Sequence, residues 1–160
     1  MSEPTRKIVL GLGNTLNRDE GLGVHALKAL EKHLGNRAPE VELLDGGVLG
    51  LNLLLFVEEA SHLLVLDAIN RGKPGGTVVE LAADEIPMYR KIKMSEHQIT
   101  FQEVLALALI RGKLPSHLHM IGAQPVNMQI GTDISPEIAD AIPEIVSRAE
   151  QVLSGWGLIQ

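Results

Sequence analysis

An α/β fold is predicted for this chain. Short apolar runs alternate with longer segments of helical period, several runs end in an acidic or glycine-rich loop, and the alternation continues along all 160 residues. The first strand is read at Lys7–Leu12, and loop 13–21 follows it. Leu22–Leu34 carries apolar residues at 24, 27, 30 and 34, a helical spacing. Val41–Leu44 is a second strand, closed by Asp45-Gly-Gly. Leu49–Ala60 reads as a mostly buried helix, because Leu51, Leu54, Leu55 and Val57 are dense for a surface one. His62–Leu66 is a continuous apolar strand of the kind covered on both faces, ending at Asp67. Thr77–Leu81 is entered through a Lys-Pro-Gly-Gly turn cluster. Phe101–Ile110 is helical and Leu118–Ala123 is the last strand. Ser135-Pro136 caps a final helix that Pro143 is expected to kink or restart. No repeat or linker is visible, so residues 1–160 are read as one domain.

Composition excludes several classes of function. Fourteen Lys plus Arg against twenty Asp plus Glu leave a net charge of −6, unsuited to gripping nucleic acid or an anionic membrane. Cysteine is absent, which removes disulfides, thiolate metal sites and a Cys nucleophile. No apolar run approaches the roughly 18 residues of a membrane span. The N-terminal stretch has acid and proline where a signal peptide needs a basic and then apolar segment, so a cytoplasmic location is expected.

Ligands of such sheets lie beyond the carboxyl ends of the strands. That rule selects loops 13–21, 45–48 and 67–75, which carry Asp19 and Glu20, Asp45, and Asp67. Carboxylates gathered at one sheet edge repel each other unless a cation sits among them, and a histidine is the usual companion ligand. His97, in a Ser-x-His-Gln segment just before a helix, fits that part. His25 and His33 lie within the first helix and His62 opens a strand, where surface or core roles suffice. His117 and His119 share a face, but at the amino end of their strand, away from the acids. Asp19 reads as an acid favoured by a helix N-terminus. Asp45 before Gly-Gly reads equally well as a turn acceptor. Gly11-Leu-Gly13 fails as a dinucleotide fingerprint because Leu16 stands where the third glycine belongs. P-loop, Gly-x-Ser-x-Gly and His-Glu-x-x-His motifs are all absent.

Four pieces in order resemble one family. Gly11-Leu-Gly-Asn-Thr-Leu-Asn-Arg-Asp-Glu-Gly-Leu-Gly-Val24, Leu44-Asp-Gly-Gly47, Leu66-Asp-Ala68 and Ser95-Glu-His-Gln98 are similar to the signature segments of the hydrogenase maturation endopeptidases, over nearly the whole chain. The resemblance implies a three-layer α/β/α sandwich with a mixed, mainly parallel five-stranded sheet. It implies removal of a C-terminal extension from the large-subunit precursor of a nickel–iron hydrogenase once nickel is in place. It assigns Glu20, Asp67 and His97 as metal ligands and Asp45 as a further acid, and Asp45, Glu20 and Asp67 are the candidates for the general base. The metal expected is the precursor's own nickel, with zinc or cadmium able to occupy the same ligands in vitro. Two rivals are carried forward: a non-catalytic nickel-dependent chaperone of the precursor, and a metallo-aminopeptidase with its own metal. A permanent zinc site usually needs a further histidine, and no second credible one is found, which counts against the latter. Nothing suggests a self-complementary patch, so a monomer is expected.

Overall fold

The computed structural model describes residues 3–47, 50–87 and 100–160. Five strands, β1 (Arg6–Leu12), β2 (Val41–Gly47), β3 (Ala60–Ala68), β4 (Val78–Ala82) and β5 (His117–Ala123), form one sheet in the order β2-β1-β3-β5-β4. All pairings are parallel except β4 with β5. Helices α1 (Leu22–Leu34) and α4 (Pro136–Gly155) cover one face, and α2 (Leu53–Glu59) and α3 (Phe101–Ile110) cover the other. This is the three-layer α/β/α arrangement with a mixed, mainly parallel five-stranded sheet that the sequence leads one to expect.

The central strands read as continuous apolar runs because both of their faces are covered. Ile8 and Leu10 of β1 and Leu63 and Val65 of β3 join the core under α2 and α3, while Val9, Leu64 and Leu66 join the one under α1 and α4. α1 lies very close to the sheet. A Cβ on Gly23 would stand 2.1 Å from the Leu66 carbonyl oxygen and 2.3 Å from that of Leu12. Only a glycine at the first turn lets the helix start directly over β1 and β3.

Three local expectations are corrected. The segment expected as a buried helix from Leu49 to Ala60 is a 3₁₀ turn at Gly50–Asn52 followed by the short α2. Leu53 and Val57 are its buried residues, whereas Leu51 and Leu55 are 51% and 60% exposed. Two turns of helix lay one i, i+4 stripe on the sheet, with Leu54 partly buried beside it, and leave Leu51 and Leu55 uncovered. α4 does not restart at Pro143; it runs unbroken through that residue. Ser135 precedes α4, with Pro136 at its first position, but the serine hydroxyl makes no helix cap. It donates to Asp19 instead.

The histidines at the amino edge of the sheet have structural roles. His62 and His117 are register neighbours on β3 and β5, and their rings stack with centroids 4.1 Å apart. Trp156 meets both edge-on, at 5.3 and 6.0 Å. Burial first, then the charges of His117 and Lys7, lowers the His62 pKa. His119 Nε2 lies 2.6 Å from Glu80 Oε2.

Candidate active site at the carboxyl edge of the sheet

The winding of the chain reverses between β1 and β3. β1 passes through α1 on one face to reach β2, while β3 leads through β4 to α3 on the other. Such a switch point opens a crevice beyond the strand ends, where ligands of α/β sheets bind. Glu20 follows β1 and Asp67 lies near the end of β3, so the two acids flank that crevice.

Glu20 sits on a 3₁₀ turn, Arg18–Gly21, just before α1. Gly13 makes this placement possible. It has a φ of 122°, and a Cβ there would lie 1.7 Å from the Glu20 carbonyl oxygen, so any side chain would push the loop off the turn. The Gly13 N–H donates to the Gly47 carbonyl at 3.0 Å, which ties the loop after β1 to the end of β2.

Asp67 is half-buried and stands opposite Gly122 in the register. Its Oδ1 accepts the Ala68 N–H at 2.8 Å. Desolvation pushes its pKa up to about 7, the Ala68 N–H pulls the other way, and the negative charge of Glu20 adds to the rise. A desolvated carboxylate with a second one near it is a pair whose oxygen ligands suit a divalent cation. Among the described residues no third His, Asp or Glu completes a metal-holding group with them. His97, the third expected ligand, lies outside the described residues, as does its Ser95-Glu-His-Gln98 segment.

Asp45 is placed on β2 opposite Gly11 of β1. It is exposed, and its Oδ1 accepts the Gly47 N–H at 2.9 Å. The carboxylate thus forms the Asx turn that Asp-Gly-Gly suggested, within a segment joined to the Glu20 loop through the Gly13–Gly47 bond.

Asp19 departs from expectation. It is not an acid merely favoured by a helix dipole but a fully buried clasp. Its Oδ2 accepts the N–H groups of Val126 and Asn127, each at 2.8 Å, and the Ser135 hydroxyl at 2.7 Å. Its Oδ1 accepts the Ser135 N–H at 2.7 Å. Burial alone would raise its pKa, but these donors outweigh burial and hold it below the usual carboxylate value. Main-chain bonds extend the clasp: Asp19 N–H to the Asn127 carbonyl at 3.0 Å, Arg18 N–H to that of Gly131 at 2.9 Å, and Gly131 N–H to that of Leu16 at 2.8 Å. Sequence could not separate Asp19 from Glu20, because the partners that bury it lie more than a hundred residues further on. The polar, glycine-containing stretch 124–135 was the only available hint.

The comparisons agree with this architecture. Residues 24–152 match the family described as hydrogenase maturation protease. The chain is 42% identical over 154 residues to the hydrogenase expression/formation protein HupD of Thiocapsa roseopersicina, covering 95% of this chain and 69% of that one. It is 34% identical to the hydrogenase 2 maturation protease of Escherichia coli K12, covering 93% and 89%. The solved hydrogenase maturating endopeptidase HybD of E. coli superimposes with a TM-score of 0.83 at 31% identity, covering 96% of this chain and 94% of that one. With the family matched over most of its length and the acids placed at the sheet's switch point, the chain belongs to the hydrogenase maturation proteases, a family of endopeptidases and so of peptide-bond hydrolases.

Proposed function

We propose that this endopeptidase removes the C-terminal extension of a nickel–iron hydrogenase large-subunit precursor, and that it recognises the nickel already bound there through Glu20, Asp67 and His97. The observation that carries this reading is the carboxylate pair at the crevice. Asp67, raised to about 7 by desolvation and by Glu20, is a group whose charged form is disfavoured where it stands, and no basic group among the described residues offsets this. A cation arriving with the substrate supplies a counterion, so metal-loaded precursor docks better than metal-free precursor. The nickel belongs to the substrate, and zinc or cadmium can stand in for it at these ligands in vitro.

Peptide hydrolysis then needs a base to activate water and stabilisation of the charge that develops on the scissile carbonyl. Asp45, Glu20 and Asp67 are the candidate acids for the first task. Docking through a bound metal would fix the scissile bond against them, and such positioning accounts for much of catalysis in general.

The test mixes purified protein with nickel-loaded and nickel-free large-subunit precursor and follows loss of the extension. Cleavage confined to the loaded form is expected. Equal cleavage of both forms would overturn nickel recognition, and binding without cleavage of either would favour the chaperone reading.

A further inference from the structure

Four large apolar side chains stand exposed on the loop after β1 and on the segment bonded to it. Leu16 is 61% exposed, Val126 50%, Met128 45% and Ile130 87%. Single exposed apolar residues are ordinary, whereas several on neighbouring segments mark an interaction surface. These four are neighbours because the Asp19 clasp lays segment 126–131 along segment 16–19, with Asn17 and Gly131 forming an isolated parallel bridge. The backbone beneath them is therefore held in place before any partner arrives, which lowers the ordering cost of binding.

The two segments bring almost no charge of their own to this surface. Segments 13–17 and 125–131 contain no Asp, Glu, Lys or Arg. Of the two charged residues between Leu16 and Glu20, Asp19 is buried among its donors, and Arg18 packs under Gly131, where a Cβ would lie 2.7 Å from its Nε. The surface shares a loop with the candidate active site, since Leu16 and Glu20 both lie between β1 and α1. A macromolecule that brings a metal to Glu20 lies across Leu16 as well.

We propose that Leu16, Val126, Met128 and Ile130 form a preorganised apolar rim that seats an apolar segment of the large-subunit precursor next to the cleavage point. This rests on the precursor-processing reading above and adds to it the surface that holds the protein part of the substrate. The rim governs how well precursor binds, while the acids govern what happens once it is bound.

The experiment replaces Leu16, Met128 and Ile130 together by serine, changes that expose no buried apolar group. A Leu109→Ser/Ile110→Ser variant is the control; it alters an apolar pair, 55% and 76% exposed, at the far end of α3. Cleavage of nickel-loaded precursor and binding of the purified precursor are both measured. The rim variant is expected to raise KM and weaken binding by about tenfold or more with kcat at saturation unchanged, while the control matches wild type. Binding and KM within twofold of wild type in the rim variant would overturn the rim. So would a loss of self-association in sedimentation without a change in KM, which would make the surface a contact between copies of this chain. If the wild type binds precursor without cutting it and the rim variant loses that binding, the proteolytic reading fails and the rim stands.

Discussion

At the scale of single residues, adjacent acids in the sequence have opposite physical roles. Asp19 is ionised because four donors surround it; Glu20, the next residue, hinders the ionisation of Asp67. Asp19→Asn would turn amide hydrogens toward N–H donors and is expected to cost about 3 kcal/mol, read as a lower urea midpoint. A change below about 0.5 kcal/mol would show that the clasp is not needed for folding. Asp67→Asn should act in the other sense. It removes a desolvated charge facing another carboxylate, so the melting temperature is expected to hold or rise, while kcat/KM for precursor falls at least about a hundredfold. Full activity in Asp67→Asn or in Glu20→Gln would remove that residue from the site. Asp67 was singled out in the sequence because it ends an apolar strand, where a charge has no packing reason to be, whereas only the family resemblance distinguished Glu20 from Asp19. The burial of Asp19 was not legible, since it is decided by loop residues remote in the chain.

At the scale of elements, the strands were legible because covered strands need unbroken apolar runs, and β1 and β3 supply Ile8-Val-Leu10 and Leu63-Leu-Val-Leu66. α2 was misjudged because apolar density records how many leucines are present, not which of them the sheet covers; Leu51 and Leu55 face outward. The contact between α1 and the sheet depends on Gly23. In Gly23→Ala the new Cβ would meet the Leu66 and Leu12 carbonyl oxygens, and lifting α1 to relieve this is expected to cost about 3 kcal/mol. Since α1 begins immediately after the turn bearing Glu20, precursor cleavage should fall as well. An unchanged denaturation midpoint would mean that α1 is free to shift.

At the scale of the whole molecule, the two ends of the sheet are chemically divided, with acids beyond the carboxyl ends and stacked imidazoles at the amino edge. His62 titrates below its ordinary value of 6.5, so the unfolded chain takes up the proton first as the pH falls. Its contribution to stability is complete above about pH 6.5 and is lost as the pH drops through the lowered value. His25, also lowered by burial and by the charge of Lys28, adds to the same dependence. The melting temperature is expected to decline below about pH 6.5, and His62→Phe, which keeps an aromatic ring against His117 and Trp156, should make the decline shallower. An identical slope in that variant would assign the dependence elsewhere.

The Asp19 clasp also has a consequence for how the molecule breathes. Amides in exposed, irregular backbone normally exchange their hydrogens with solvent quickly, since opening there requires little more than a local fluctuation. The amides of Val126, Asn127 and Ser135 all donate to one buried carboxylate, so each that opens takes a donor from a charge inside the protein. In deuterium exchange these loop amides should be protected to a degree comparable with the central strands, a rigid island beside the exposed Met128 and Ile130.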